Sequence, residues 1–322
     1  MKRSFTKHDI EKRYITMNKH VHLAGIVFAT IFGFTFMFSK VAMNYVTPIG
    51  LIAYRFLIAF LVIEILRRFK VIHIRFAKTH FKHLFIVAIF QPVLYFLFET
   101  FGLQKTSSGE AGMMIAMIPI FVTLLSSIVL KEKPKLIQVF FISLSVSGVI
   151  YIQISKSSSG LQPEILGFSL LLAAVLSAAF FNIASRSASK TLKPYELTYF
   201  MMFAGAITFN LIYLIQLTYE QRITDYITNL YHIELLLPIL YLGVIGSIGG
   251  FFLVNFALSK LPAHVTSIYA NLSTIVAIAA GALLLSEQLY IYHYIGSIMI
   301  LVGVYGTVRF NSSIKRINDV LN

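Results

Sequence analysis

Residues 101–105 read Phe-Gly-Leu-Gln-Lys, and 155 positions later residues 256–260 read Phe-Ala-Leu-Ser-Lys. Carried outward at the same offset, Leu130 and Glu132 fall on Leu285 and Glu287, and Gly148 and Val149 fall on Gly303 and Val304, with no gap between them. Earlier in each half, Pro48 and Leu51 pair with Pro194 and Leu197 at a slightly shorter offset. Any one match could be chance. The common frame marks a duplicated unit.

Composition says what surrounds that unit. Of 322 residues, 57% are apolar and 12% charged, where soluble domains carry about a quarter of charged residues, and the mean hydropathy is +0.80. A bilayer core about 30 Å thick needs about 20 apolar residues at a helical rise of about 1.5 Å. Ten runs of that size lie near 21–40, 48–66, 83–103, 109–130, 136–154, 164–185, 195–217, 235–258, 263–285 and 290–309. Lys and Arg stay on the cytoplasmic side during insertion, so the loops between these runs report orientation. One side holds only Lys40, Lys105, Lys156 and Arg222. Arg55 lies inside the second run, and the rest of the 27 Lys and Arg fall on the opposite side. Both termini are therefore expected in the cytoplasm, with the chain in the plasma membrane.

Five spans per repeat is an odd number, which turns the second copy upside down relative to the first. The expected fold is all-α integral membrane, ten transmembrane helices as two inverted five-helix repeats around a central cavity. Residues 1–20 form a basic cytoplasmic tail rather than a signal peptide. The first repeat is 21–154, an external linker 155–163, the second repeat 164–309, and a cytoplasmic tail 310–322. Inverted repeats supply two related arrangements open to opposite sides, the basis of alternating access.

Several functions are excluded. With no cysteine, thiolate nucleophiles, disulfides and cysteine metal sites are absent. The net charge of +14 lies in short loops beside apolar runs, not on a basic face, so no nucleic-acid partner is expected. Histidines such as His20, His22, His80 and His83 sit in or beside basic segments and read as headgroup-facing rather than metal ligands. No phosphate loop, His-Glu-x-x-His motif or nucleophile with a base is present, so the chain reads as no enzyme and needs no cofactor.

The stretch Ala111 to Val149, with Ile118-Pro119-Ile120-Phe121, Leu130-Lys131-Glu132 and Ser147-Gly148-Val149, has a partner around Leu285-Ser286-Glu287 and Val302-Gly303-Val304. Together with Tyr54-Arg55-Phe56, these residues resemble the EamA repeats of the drug/metabolite transporter superfamily, over nearly all of 21–309. Thr274 stands where the second copy would match Pro119, and Lys131 and Ser286 stand where glycine is common. The resemblance implies a transporter of small organic solutes.

Polar residues inside the apolar runs are the candidates for the cavity, because their burial in lipid is costly and turns them inward. Arg55 lies about 12 Å from the outer end of its helix, as an anion-attracting or gating charge or as a brace. Lys40 and Glu99 lie near outer helix ends and could pair there. Gln91, Tyr95 and Glu99 share one helical face at four-residue spacing. Under the repeat offset Gln91 and Tyr95 fall on Gly246 and Gly250, which suggests a polar wall facing one hollowed by glycine. Asn182, Asn255, Tyr269 and Asn271 complete the set, as cavity groups or as hydrogen bonds between helices. Glu132 and Glu287 are expected to cap the helix that follows each of them.

The expected function is secondary transport of a small organic metabolite or drug-like solute, such as an amino acid or a related compound, with export favoured. Partners are the solute, the lipid bilayer and a coupling proton or ion, for which Glu99 and Glu110 are the candidate carriers. The sequence carries no determinant of oligomeric state. The competing class is a non-transporting membrane protein, either a receptor-like scaffold or a lipid-modifying enzyme. The inverted repeat and the lack of a catalytic cluster stand against it.

Overall fold

A computed structural model describes residues 7–105, 114–115, 117–156, 165–284 and 290–310. All regular elements among these residues are helices. In chain order the longer ones are α1 Lys7–Ala42, α2 Pro48–Arg68, α3 Lys78–Lys105, α4 Ile118–Leu130, α5 Leu136–Lys156, α6 Ile165–Ala188, α7 Pro194–Tyr219, α8 Ile233–Lys260, α9 over 263–284 and α10 Ile291–Arg309, with a single short turn of helix over Asp225–Thr228 and a 3-10 turn at Asn229–Tyr231 between α7 and α8. Each of the longer helices lies within one of the ten apolar runs or overlaps it.

Local chemistry sets where several of them begin. Proline is tolerated in the first helical turn because its missing N–H is not needed there. Pro48 opens α2 behind Thr47, whose hydroxyl accepts from the Gly50 N–H at 3.2 Å. Pro194 opens α7, where Glu196 accepts from the Lys193 N–H at 2.9 Å and from the Arg75 N–H at 3.4 Å, tying the α2–α3 connection to the second half.

Among the described residues, seven helices are long and apolar enough to cross a membrane: α1 from Lys19 onward, α2, α3, α6, α7, α8 and α10. The other three fall short for identifiable reasons. The described part of α4 begins only at Ile118, and the apolar part of α5 is Leu136–Ile152. The run expected as one helix over 263–285 is divided: Ala263–Ser267, a 3-10 turn at Ile268–Asn271, then Leu272–Leu284. The turn falls where Asn271 reaches across to the Ser145 hydroxyl of α5 at 3.1 Å.

Packing runs across the halves. α5 lies along α10, α2 along α7, α3 along α6, and α1 along α8 and α9, so each partnership takes a helix from both. The outward faces keep large aliphatic groups uncovered, including Leu136 at 89% exposure and Ile128 at 75%. Such a surface is at home against hydrocarbon.

The duplicated frame reappears as a shared defect. α3 widens to a π-helix over Ile89–Leu94, where Gln91 leaves helical geometry at φ −151° and ψ 118° next to Pro92. α8 widens over Tyr241–Gly250. The 155-residue offset carries 89–94 onto 244–249, inside that second interruption. Such widenings free carbonyls from the helical ladder and often mark functional positions.

Candidate functional site

The two widened segments flank a cavity of about 110 Å³. Its walls come from α1 (Phe28, Phe32, Thr35, Ser39), α2 (Arg55), α3 (Gln91, Tyr95, Phe96, Glu99), the start of α4 with the residue Ile115, α6 (Ala178, Phe181, Asn182), α8 (Phe251, Val254) and α9 (Thr266, Ser267, Ala270, Ser273). Both halves contribute, and aromatic rings make up most of the apolar wall.

Arg55 is 5% exposed. Its Nε donates to the Ser247 hydroxyl at 2.8 Å, and Ser247 donates in turn to the Leu242 carbonyl at 2.9 Å, five residues back in the π-helical segment. The guanidinium carbon lies 4.5 Å from the centre of the Phe96 ring, a cation–π contact. A Cβ on Gly246 would come 3.5 Å from Arg55 Nη2 and 3.2 Å from Thr35, so the glycine leaves the room the guanidinium occupies. A buried guanidinium is costly unless an anion accompanies it. Glu99 faces the same cavity and accepts from the Thr100 hydroxyl at 3.2 Å. A second recess of about 10 Å³ also touches Ser39, Arg55, Phe96 and Glu99 and extends to Met43 and Thr100.

The residues singled out in the sequence divide into two groups. Arg55, Gln91, Tyr95, Glu99 and Asn182 line the cavity. The others stand behind it. Lys40 is exposed at the end of α1. Gly250 receives the Phe32 ring, whose Cε1 would lie 2.5 Å from an added Cβ. Asn255 is fully buried, accepting from Ser185 at 2.7 Å and donating to Thr198 at 3.0 Å, so it joins α8 to α6 and α7. Tyr269 shares a 2.6 Å hydrogen bond with His22 Nδ1 of α1. Asn271 is held by Ser145, as above.

Glu132 departs from expectation. It caps not α5 but the first turn of α9 in the other half, accepting from the Ala263 N–H at 3.0 Å, and it pairs with Arg186 at 2.8 Å. Gln138 takes the role at α5, accepting from the Lys135 N–H at 3.0 Å. Glu287 lies outside the described residues. Ser247 was not singled out, since a serine in an apolar helix reads as a bond between helices; its position beside Gly246 was the available signal. The phenylalanines of the wall have the same sequence signature as ordinary core.

Helices with apolar outer faces around a cavity define a multi-pass membrane protein. The model of the family described as EamA-like transporter family matches residues 20–154 and 165–309, and the chain belongs to that family. It is 35% identical over 296 residues to "Uncharacterized transporter YcxC" of Bacillus subtilis (strain 168), covering 92% of this chain and 95% of that protein. An uncharacterized transporter of Archaeoglobus fulgidus is 29% identical over 297 residues, covering 91% of this chain and 99% of that one. The "Probable amino-acid metabolite efflux pump" of Escherichia coli (strain K12) is 24% identical over 309 residues, with 93% and 99% covered. A solved crystal structure shares the fold at a TM-score of 0.71 and 15% identity, over 92% of this chain and 99% of that one.

Proposed function

We propose that this chain is a secondary transporter that exports a small zwitterionic metabolite, an α-amino acid with an apolar side chain or a close relative, by alternating access. The observation that carries the reading is that Arg55 and Glu99 face one aromatic-walled cavity. A guanidinium offers a planar fork to a carboxylate, and a carboxylate accepts from an ammonium, so the two charges together match a zwitterion. The Phe28, Phe32, Phe181 and Phe251 rings suit an apolar side chain. A volume of about 110 Å³ corresponds to about four water molecules at a liquid share of about 30 Å³ each, room for a small solute. The amino-acid wording in the name of the Escherichia coli relative points the same way.

The alternating-access part rests on ten spans in two inverted repeats, with both termini on the cytoplasmic side of the plasma membrane. Three features favour it: the helical interruptions repeat at the sequence offset, the helices partner across the halves, and the turn after α4 meets the ends of α6 and α8 at one end of the bundle. Glu99 faces the cavity and is our candidate for the carboxylate that exchanges a coupling proton for the solute, while Glu110 lies outside the described residues.

Purified protein in liposomes tests the reading with a panel of radiolabelled amino acids and lipids of known composition. Accumulation of apolar amino acids supports it. No movement of any panel member, accompanied by chemical turnover of the lipids, would establish the competing enzyme class.

A further inference from the structure

Beneath the cavity the walls continue by one helical turn and converge. Asn182, Val254 and Thr266 line the cavity. Arg186 is four residues past Asn182 on α6, Leu258 is four past Val254 on α8, and Ala263 is three before Thr266 on α9, so all three lie on the faces that line the cavity, one turn further on. There Glu132, reaching in from the α4–α5 turn of the first half, meets them. Arg186 Nε donates to Glu132 Oε1 at 2.8 Å, Arg186 Nη1 donates to the Leu258 carbonyl at 2.9 Å, and the Ala263 N–H donates to Glu132 Oε2 at 3.0 Å.

We propose that the Glu132–Arg186 pair is a latch that shuts the cavity at the lysine-rich end of the bundle and parts when the cavity opens to that side. The inference rests on the transport reading for its purpose, but its geometry stands apart from the identity of the solute. Three properties distinguish the pair from a fixed brace. It ties the α4–α5 turn to the ends of α6, α8 and α9 at the point where the cavity walls converge. Both side chains keep about a fifth of their surface exposed, at 23% and 21%, so water can take over their charges when they part, a far smaller cost than stranding a dry ion pair. The neighbouring His264 Nδ1 and Thr266 hydroxyl are buried with no hydrogen-bond partner among the described residues. Unpaired buried polar atoms are a cost of this arrangement that a second arrangement of the same helices can relieve.

The chain has no cysteine, so a single Ala270→Cys places one reporter in the cavity wall. The measurement is its rate of labelling by a membrane-impermeant maleimide applied from each side of proteoliposomes, with melting temperature recorded on the same protein. Adding Glu132→Gln should raise labelling from the lysine-rich side by about three- to tenfold, lower it in step from the other side, and leave the melting temperature near its starting value. Arg186→Gln, which removes the other partner, should do the same. Unchanged labelling overturns the proposal. So does a rise from both sides with a lowered melting temperature, and so does failure of both variants to fold, since each outcome describes a brace. Labelling needs no transported solute, so a failed amino-acid panel would leave this result readable.

Discussion

Arg55 of α2 donates through Nε to the Ser247 hydroxyl of α8 at 2.8 Å, with Phe96 beneath its guanidinium. One nitrogen is thus committed to orientation, and the planar end is held at the cavity wall. Arg55→Lys keeps the charge without the fork and should retain partial transport, while Arg55→Gln should lose it, with an affinity loss of about 1.5 to 3 kcal/mol for a missing charged hydrogen bond. Transport and melting temperature measured on the same preparations separate this from bracing, which predicts that both variants melt early and equally.

Ser247→Ala removes the orienting acceptor but leaves the charge. Apparent KM should rise about three- to tenfold with little change in maximal rate, and melting should fall by the equivalent of about 1 kcal/mol. An unchanged KM would mean that Phe96 and the surrounding packing orient the guanidinium unaided.

Asn255→Ala should behave differently. It strands the Ser185 hydroxyl and takes a donor from Thr198, which still donates to the Pro194 carbonyl, in a fully buried contact of three helices, so stability should drop by about 1 to 3 kcal/mol while the ranking of transported solutes is preserved. A change in that ranking would place Asn255 in contact with the solute.

Gly250→Leu collides with Phe32, whose ring is the cavity wall. Overpacking of this kind costs about 1 to 3 kcal/mol, and the ring's escape is into the cavity. Transport should cease and melting temperature should fall. Wild-type transport would show that α1 and α8 can separate at this point without narrowing the cavity.

Much of this was legible in the sequence for physical reasons. Hydrophobic length located the helices, and Pro48 and Pro194 marked two starts because proline has no N–H to leave unpaired there. Arg55, Gln91, Tyr95 and Glu99 were recognisable because charge, amide and phenol inside apolar runs are too costly to leave facing lipid and must turn inward. Tertiary pairing was illegible. Asn182 reaches the cavity while Asn255 and Asn271 bind neighbouring helices, a difference set by which helix stands opposite. Glu132 has the sequence position of a cap for its own following helix, and only the meeting of α6, α8 and α9 turns it toward Ala263 and Arg186. The break in α9 was hidden by length, because 263–285 is as long as a single span; the polar residues His264, Thr266, Ser267, Asn271 and Ser273 around the 3-10 turn are its mark in the sequence.

Orientation is tested with single cysteines at two exposed loop positions. Phe69→Cys, after α2, and Tyr219→Cys, at the end of α7, should be labelled from opposite faces of the membrane, Phe69 from the cytoplasmic side. Labelling of both from one face would contradict the inverted ten-span arrangement.

The central claim, that Arg55 and Glu99 together select a zwitterion, is tested most directly by competition in proteoliposomes. Uptake of one labelled apolar amino acid is measured against the unlabelled compound, its decarboxylated amine, its deaminated acid and its carboxamide. The account predicts that the intact amino acid competes at least tenfold better than any analogue lacking either charge. Equal competition by the amine, the acid or the carboxamide would contradict it.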